Sequence, residues 1–160
     1  MRIVQALDFR EEPGPLLVMP YFRLGNLENQ HQDSPIAADE TIEVLSQCLE
    51  ALEYLHHRGV VHRDIKPSNI LVESRDPLSV KLADFGLAQV AAPGLETVRG
   101  TFPYVTPEIY YGEDYSPAVD LWSLGVVGLE LTYGIEKQKS NKSNGTRKSD
   151  RTMTRKMGLS

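Results

Sequence analysis

Apolar residues recur at helical spacing in two long stretches of the chain. The first stretch, from Asp39 to His57, predicts an amphipathic helix. Its N-cap is expected at Asp39 and its C-terminal stop at Gly59, because short polar residues and glycine favour those two positions. The second stretch, from Asp120 to Leu131, is apolar on nearly every side and predicts a buried helix in which Trp122 packs rather than binds. The apolar positions behind these predictions are Ile42, Leu45, Leu49, Leu52 and Leu55 in the first stretch and Leu121, Leu124, Val127, Leu129 and Leu131 in the second.

Shorter apolar runs alternate with polar segments in the middle of the chain. Val60-Val61 and Ile70-Leu71-Val72 predict two short buried strands, and the polar segment 62–69 lies between them. Val80-Lys81-Leu82-Ala83 predicts a further strand, which Asp84 follows directly. A polar loop held between buried strands is a usual place for catalytic and binding residues. The search for chemistry therefore begins at these two polar segments.

Asp64, Lys66, Asn69 and Asp84 supply the groups that phosphoryl transfer needs. That reaction requires a carboxylate near the attacking hydroxyl, a cation against the phosphates and oxygen ligands for magnesium. Magnesium takes only one or two carboxylate ligands, so one Asp and one Asn are sufficient. The alternative interpretation is that Asp64 and Asn69 cap local backbone in a turn, and that Asp84-Phe85-Gly86 is an ordinary turn.

Two motifs in order resemble the catalytic loop and the metal-binding turn of eukaryotic-type serine/threonine protein kinases. They are His62-Arg63-Asp64-Ile65-Lys66-Pro67-Ser68-Asn69 and Asp84-Phe85-Gly86. The resemblance extends from Ile3 to Tyr133 and implies an α+β, protein-kinase-like fold. That fold would comprise the last strands of the small lobe and the helical large lobe up to its buried central helix, as a partial kinase domain over residues 1–134. It implies transfer of the γ-phosphoryl group of ATP, with Mg²⁺, to Ser and Thr hydroxyls of proteins.

The resemblance also assigns roles to single residues. Asp64 is the expected catalytic base, and Lys66, two places after it as in serine/threonine kinases, neutralises the transferring phosphoryl group. Thr101 lies where such kinases place a threonine that bridges those two side chains. Asn69 and Asp84 are the expected magnesium ligands. Asp120 is expected to bind the backbone of the catalytic loop.

A second part of the nucleotide site is expected near the N-terminus. Leu16 to Phe22 resembles the last strand of the small lobe running into the hinge, where the adenine hydrogen-bonds to the backbone. Met19, Tyr21 and Phe22, together with Lys66, Asn69 and Asp84, are the expected nucleotide contacts, with Met19 as the gatekeeper. From its pattern alone the same stretch predicts only a buried strand and a turn.

Gly100 to Glu108 resembles the end of a kinase activation segment, with Thr106-Pro107-Glu108 in place of Ala-Pro-Glu. By the same resemblance, Arg63 would bind a phosphate group on Thr97. The alternative is that Thr97 is an unmodified loop residue and that Arg63 only supports the loop.

The chain also departs from the family pattern. It contains no Gly-x-Gly-x-x-Gly motif and no Val-Ala-Ile-Lys strand before the hinge, and its composition changes abruptly after Gly134. We therefore expect a domain shortened at both ends and little activity from this chain alone. Two other possibilities stay open: a non-catalytic, pseudokinase-like binding module, and a fragment without a stable fold.

Charge divides the chain into two parts. The formal net charge is −5, yet residues 135–160 are rich in Lys, Arg, Ser, Thr and Asn. Such a low-complexity tail cannot bury enough apolar surface to fold and is expected to be disordered. A basic tail can contact nucleic acid, acidic lipid or an import receptor. We instead favour a solvated end or an altered reading frame, and do not expect nucleic acid as a partner.

Cysteine and histidine usage adds no competing site. The single cysteine, Cys48, is expected to be a small core residue, and the four histidines show no zinc spacing. One cysteine offers no disulfide framework, which fits an intracellular protein of the cytoplasm, the nucleus or both. The sequence shows no signal peptide and no apolar run long enough to span a bilayer.

Overall fold

The structure is a computed structural model that describes residues 1–31, 35–86, 88–90, 101–112, 114 and 116–134. Thr97 and the tail 135–160 lie outside the described residues, so the predictions about them stay predictions. The strands are β1 Asp8–Arg10, β2 Leu16–Val18, β3 Val60–Val61, β4 Ile70–Arg75, β5 Leu78–Leu82 and β6 Gln89–Val90. The helices are α1 Leu27–His31, α2 Ala38–His56, α3 Pro107–Tyr111 and α4 Ala118–Tyr133, with a 3₁₀ turn at Pro67–Asn69. Described strands pair antiparallel as β1–β2, β3–β6 and β4–β5.

The first predicted helix is α2, and its bounds confirm the predicted span to within one residue at each end. The prediction of Asp39 as the N-cap is wrong. Ala37 occupies the cap position without a side-chain hydrogen bond, and Asp39 lies in the first turn, where its charge suits the helix dipole. Gly59 ends the helix as predicted: it adopts φ 68°, and its N–H donates to the carbonyl of His56 at 2.9 Å.

Helices α2 and α4 pack antiparallel. The N–H of Ile36, just before α2, donates to the carbonyl of Leu131 near the end of α4 at 2.8 Å. At the opposite ends, His56 Nε2 lies 2.8 Å from Asp120 Oδ2. Between them the helices approach closely, because a Cβ on Gly128 would lie 3.1 Å from a methyl group of Leu45. The pair forms the platform behind the polar loop.

The hydrophobic core lies between this helix pair and the β4–β5 hairpin. The hairpin is also attached to α2 through buried Gln47, whose amide donates to the Leu78 carbonyl at 2.9 Å and accepts from the Val80 N–H at 2.8 Å. Cys48 is buried, which confirms it as a core residue. Buried core residues include Val44, Ala51, Leu52 and Leu55 on α2, Ile70, Val72, Val80 and Leu82 on the hairpin, and Leu124, Val127 and Leu131 on α4.

Two expectations about burial are wrong. Helix α4 is buried on one face only, because Leu121, Trp122 and Leu129 are about half exposed on the other face. The strand at Leu16–Val18 is exposed on both faces, because the β1–β2 hairpin contributes no residue to the described hydrophobic core. Among the described residues, no helix is long and apolar enough to cross a membrane.

Candidate active site

The backbone of the polar loop is held by Asp120 at the start of α4. This carboxylate is fully buried; Oδ2 accepts from the His62 N–H at 2.9 Å and Oδ1 from the Arg63 N–H at 2.8 Å. Arg63 adopts φ 67°, a left-handed conformation that is uncommon for a residue with a side chain. The two hydrogen bonds stabilise this turn, and the predicted contact between Asp120 and the loop is present.

His62 connects the loop to the strand that precedes Asp84. Its Nε2 lies 3.0 Å from the carbonyl of Ala83, and its Nδ1 accepts from the Asp64 N–H at 3.3 Å. Its ring packs against Phe85 with the centroids 5.0 Å apart. Burial lowers the pKa of His62 below its ordinary 6.5, although nearby Asp120 raises it. His62 is therefore a neutral ring with its proton on Nε2, because only that tautomer satisfies both contacts.

Asp64 lies at the centre of a network of three donors. Lys66 Nζ approaches Oδ2 to 2.7 Å, Thr101 Oγ1 donates to Oδ1 at 2.8 Å, and Asn69 Nδ2 donates to Oδ2 at 3.0 Å. Lys66 also donates to the Thr101 hydroxyl at 2.9 Å, so Thr101 bridges the two charged groups as the resemblance implied. Lys66 and Thr101 are 35 residues apart, and only the tertiary fold brings them together.

The charge state of Asp64 follows from this network. Burial raises the pKa of Asp64. The hydrogen bonds from Lys66, Thr101 and Asn69, together with the charge of Lys66, lower this pKa by more than burial raises it. The result is a pKa below the ordinary 3.8. Asp64 is therefore ionised at neutral pH, as a group that accepts a proton from a hydroxyl must be.

Asn69 is joined to the residue before Asp84, because the Ala83 N–H donates to the Asn69 carbonyl at 2.9 Å. The Asn69 amide nitrogen also donates to the Asp64 carbonyl at 2.8 Å, which leaves its amide oxygen as the acceptor of that side chain. Asp84 is exposed, adopts φ 62°, and accepts from the Gly86 N–H at 3.2 Å. Carboxylate and amide oxygens suit magnesium, so this pair fits that ion. Among the described residues, no group of three or more His, Cys, Asp and Glu side chains could hold a metal ion.

Two of the three expected hinge residues, Tyr21 and Phe22, line a groove of their own. Met19 is partly exposed and Tyr21 almost fully exposed. Tyr21 and Phe22 line a groove of about 350 Å³ together with Val4, Gln5, Leu7, Pro20, Arg23, Leu24, Glu73 and Lys81. Of the predicted site residues, the structure joins Asp64, Lys66, Asn69 and Thr101 in one hydrogen-bonded network. Asp84 follows Ala83, whose carbonyl contacts His62 at 3.0 Å.

One residue of the site escaped sequence analysis. His56, at the end of α2, contacts Asp120 Oδ2 at 2.8 Å, on the oxygen that also accepts from the His62 N–H. The two residues are 64 positions apart, so no local pattern signals the contact. The one sequence signal for this cluster is an aspartate at the start of the apolar helix predicted at Asp120.

Comparisons of the sequence with known proteins identify the family. The family of the protein kinase domain matches residues 1–158. The chain is 38% identical over 141 residues to serine/threonine-protein kinase RAD53 of Saccharomyces cerevisiae, covering 78% of this chain and 17% of that protein. It is 36% identical over 136 residues to serine/threonine-protein kinase TIO of Arabidopsis thaliana, covering 82% of this chain and 10% of that protein. Sperm motility kinase Z of Mus musculus is 39% identical over 138 residues, covering 83% and 27%.

The chain therefore spans less than a third of the length of each of these relatives. Family members use ATP and Mg²⁺ to phosphorylate protein hydroxyls. The fold class and the resemblance predicted from the motifs are confirmed. A family match over nearly all residues, on a fold that holds Asp64, Lys66 and Thr101 in contact, shows that this chain belongs to the protein kinase family, whose serine/threonine kinases are among its relatives.

Proposed function

We propose that this chain carries the transfer site of a serine/threonine protein kinase, which moves the terminal phosphoryl group of ATP to Ser and Thr hydroxyls of proteins. The observation that carries the proposal is the shared contact of Lys66 and Thr101 with the Asp64 carboxylate, at 2.7 and 2.8 Å. An ionised carboxylate beside a cation is what the attack of a hydroxyl on a phosphoryl group requires. A protein substrate with Ser or Thr, and a location in the cytoplasm or nucleus, belong to the same proposal.

Each side chain of the network has a role in this proposal. A substrate hydroxyl near Asp64 transfers its proton to the carboxylate as its oxygen bonds to phosphorus and the bond from phosphorus to the ADP oxygen breaks. Lys66 neutralises the charge on the group in transfer. Thr101 positions both, because its hydroxyl donates to Asp64 and accepts from Lys66.

Asn69 and Asp84 are the proposed magnesium ligands. The proposal is supported by their side-chain oxygens and by the backbone hydrogen bond from Ala83, the residue before Asp84, to Asn69. Magnesium, when bound, neutralises phosphate charge. Met19, Tyr21 and Phe22 are the proposed adenine contacts, and Lys66, Asn69 and Asp84 the proposed phosphate-side contacts. The support for the three hinge residues is the sequence resemblance, and Tyr21 and Phe22 line a groove of about 350 Å³.

A non-catalytic protein-binding module is the second candidate. Residues 1–160 contain neither a glycine-rich phosphate motif nor a Val-Ala-Ile-Lys strand. In kinases those parts position the phosphates, and positioning with electrostatics supplies nearly all of the rate. Transfer by residues 1–160 alone is therefore expected to be weak.

Thermal unfolding of residues 1–160 with and without Mg-ATP separates these functions. A ligand that binds only the folded state raises the melting temperature, and the shift grows with the ratio of ligand concentration to Kd. We expect one cooperative transition that Mg-ATP shifts upward, a smaller shift in Asp84→Asn, and an unchanged shift in the exposed control Asp76→Asn. A transition that Mg-ATP does not move supports the binding module, and the lack of a cooperative transition indicates a chain that does not fold alone.

Transfer is tested separately with radiolabelled ATP and a basic peptide that contains Ser and Thr. Asp64→Asn should abolish the incorporation that the unmodified chain shows, while the shift with Mg-ATP remains. Near-normal turnover in Asp64→Asn would remove the assignment of Asp64 as the base.

A further inference from the structure

One face of α4 forms an apolar stripe, defined here as Leu121, Trp122, Leu129 and Tyr133. Their exposed fractions are 49, 51, 55 and 76%. Gly125 lies within the stripe, and a Cβ there would meet nothing within 4 Å, so the centre of the stripe is open. Isolated exposed apolar residues are ordinary, but a continuous row along a helix indicates a binding surface.

The stripe borders a groove against α2. The groove measures about 410 Å³ and is lined by Ser46, Leu49, Glu50, Leu52, Glu53, His56 and Leu121. The apolar part of this lining is Leu49, Leu52 and Leu121, and Leu49 and Leu121 are each about half exposed. Glu50 and Glu53 place negative charge on the α2 rim, and Glu50 also pairs with Arg2 at 3.0 Å. The groove therefore suits a ligand that is apolar on one side and basic on the other.

The chain itself contains a segment of that chemistry. The chain has 17 Lys and Arg residues and 22 Asp and Glu residues. The tail 135–160 holds 8 of the basic residues and 2 of the acidic ones, so residues 1–134 hold 9 basic and 20 acidic residues. The formal charge is thus +6 on the tail and −11 on the rest. Met153 and Met157 lie four positions apart in the tail, and Arg151, Arg155 and Lys156 surround them.

The tail also starts in the right place. Gly134 follows the last residue of α4, and the contact between Ile36 and Leu131 places that end beside the start of α2. Helix α4 has 16 residues and is therefore about 24 Å long. An extended chain rises roughly 3.3 Å per residue, so the 26 residues of the tail can return along the whole stripe.

We propose that residues 151–159 of this chain dock in the groove between α2 and α4. Met153 and Met157 contact Leu49, Leu121 and Trp122, since flexible methionine side chains fill irregular apolar gaps. The basic residues of the segment face Glu50 and Glu53. The same surface could take a second copy of the chain or another protein, and those occupants are outcomes of the test.

Trp122 allows a direct test because it is the only tryptophan of the chain. The fluorescence of the full chain is measured with acrylamide as the quencher. The emission of the unmodified protein should be blue-shifted and protected. The triple change Arg151→Glu, Arg155→Glu, Lys156→Glu should shift it to the red and raise the quenching constant roughly twofold, because like charges now oppose Glu50 and Glu53. Lys137→Glu, Lys139→Glu, Lys142→Glu makes the same charge change nearer to Gly134 and should leave the quenching constant unchanged.

Two further variants complete the test. Glu50→Lys with Glu53→Lys should expose Trp122 in the same way, and combining it with the triple tail change should restore protection. Met153→Ser with Met157→Ser should expose Trp122 without any change of charge. Equal quenching in the unmodified and triple-changed chains would overturn the proposal. So would protection that grows with protein concentration, which would indicate a second copy, and so would retained protection in the double methionine variant.

Discussion

At the scale of single residues, the state of Asp64 depends on a few short contacts. Its carboxylate accepts from Lys66, Thr101 and Asn69 at 2.7, 2.8 and 3.0 Å. Hydrogen bonds to a charged group are stronger than those between neutral groups, and a buried carboxylate that loses one is left partly unsatisfied. The properties of Asp64 should therefore respond sharply to changes in its neighbours.

Changing Lys66→Met should raise the pKa of Asp64. The substitution removes both a hydrogen bond and a positive charge that lower this pKa, while burial, which raises it, remains. Carbon-detected NMR titration of the Asp64 carboxylate measures the change directly. Lys81→Met is the matched control, because Lys81 pairs with Glu73 on the β4–β5 hairpin at 2.8 Å. An unchanged Asp64 pKa in Lys66→Met would contradict the network.

His62 should make the stability of the fold depend on pH. Its pKa is lowered in the folded state, chiefly by burial. Such a group contributes stability that is complete above its unfolded pKa, near 6.5, and is lost as the pH falls through the folded value. Protonation would also place a donor on Nδ1 opposite the Asp64 N–H.

We therefore expect the melting temperature to fall between about pH 7 and pH 5, a range that lies above the ordinary pKa of carboxylates. The fall should be shallower in His62→Gln than in the control His57→Gln, whose exposed ring contacts the Glu53 carbonyl one turn earlier on α2 at 2.8 Å. Equal slopes in the two variants would show that His62 is not the group that titrates.

At the scale of elements, the site depends on the antiparallel pair α2 and α4. The start of α4 supplies Asp120, which holds the loop, and the end of α2 supplies His56, which contacts Asp120. The close approach of the helices at Gly128 sets their separation. Packing of this helix pair therefore positions the catalytic loop.

Substitution of two glycines of α4 by alanine should change the stability of the protein to different extents. Gly125→Ala should stabilise the protein by about 0.5–1 kcal/mol, because alanine favours helix and the site is open. Gly128→Ala gains the same propensity but places its Cβ 3.1 Å from a methyl group of Leu45, which must move. Urea denaturation of the two variants should therefore show Gly125→Ala to be the more stable. Equal gains would mean that the helices separate without cost.

At the scale of the whole molecule, apolar surface is unevenly covered. The larger hydrophobic core lies between α2, α4 and the β4–β5 hairpin, and a smaller cluster joins Val61, Ile109 and Val119. The β1–β2 hairpin contributes no residue to that core, and all six of its residues are exposed. Stability should accordingly vary along the chain, since regions with few buried contacts open locally at low cost.

Native-state hydrogen exchange should resolve two classes of amides. The amides of β1 and β2 should exchange through openings that cost about 0–2 kcal/mol, and those of α2, β4 and β5 only through global unfolding. Mass spectrometry of peptic fragments measures both. Equal protection of the β1–β2 hairpin and α2 would contradict a core that excludes the hairpin.

The sequence by itself determined the local elements and the chemistry of the loop. Helical spacing predicted α2 to within one residue at each end, and Gly59 marked its end, because helix formation and termination depend on neighbours within a few positions. The order of two motifs identified the family and pointed to Asp64, Lys66, Asn69 and Asp84, and the resemblance to an activation segment pointed to Thr101. Their roles in catalysis stay predictions.

Only the tertiary structure decided which distant groups meet and which apolar faces are covered. The contacts of Thr101 with Asp64, 37 positions apart, and of Asp120 with His62, 58 positions apart, depend on how α4 packs against α2. The helix predicted to be buried at Asp120–Leu131 has an exposed face, and Trp122 lies on it. An apolar sequence shows that a helix has apolar surface but not which element, if any, packs against that surface. Pairing across long sequence separation is set by the packing of whole elements, and no local pattern encodes it.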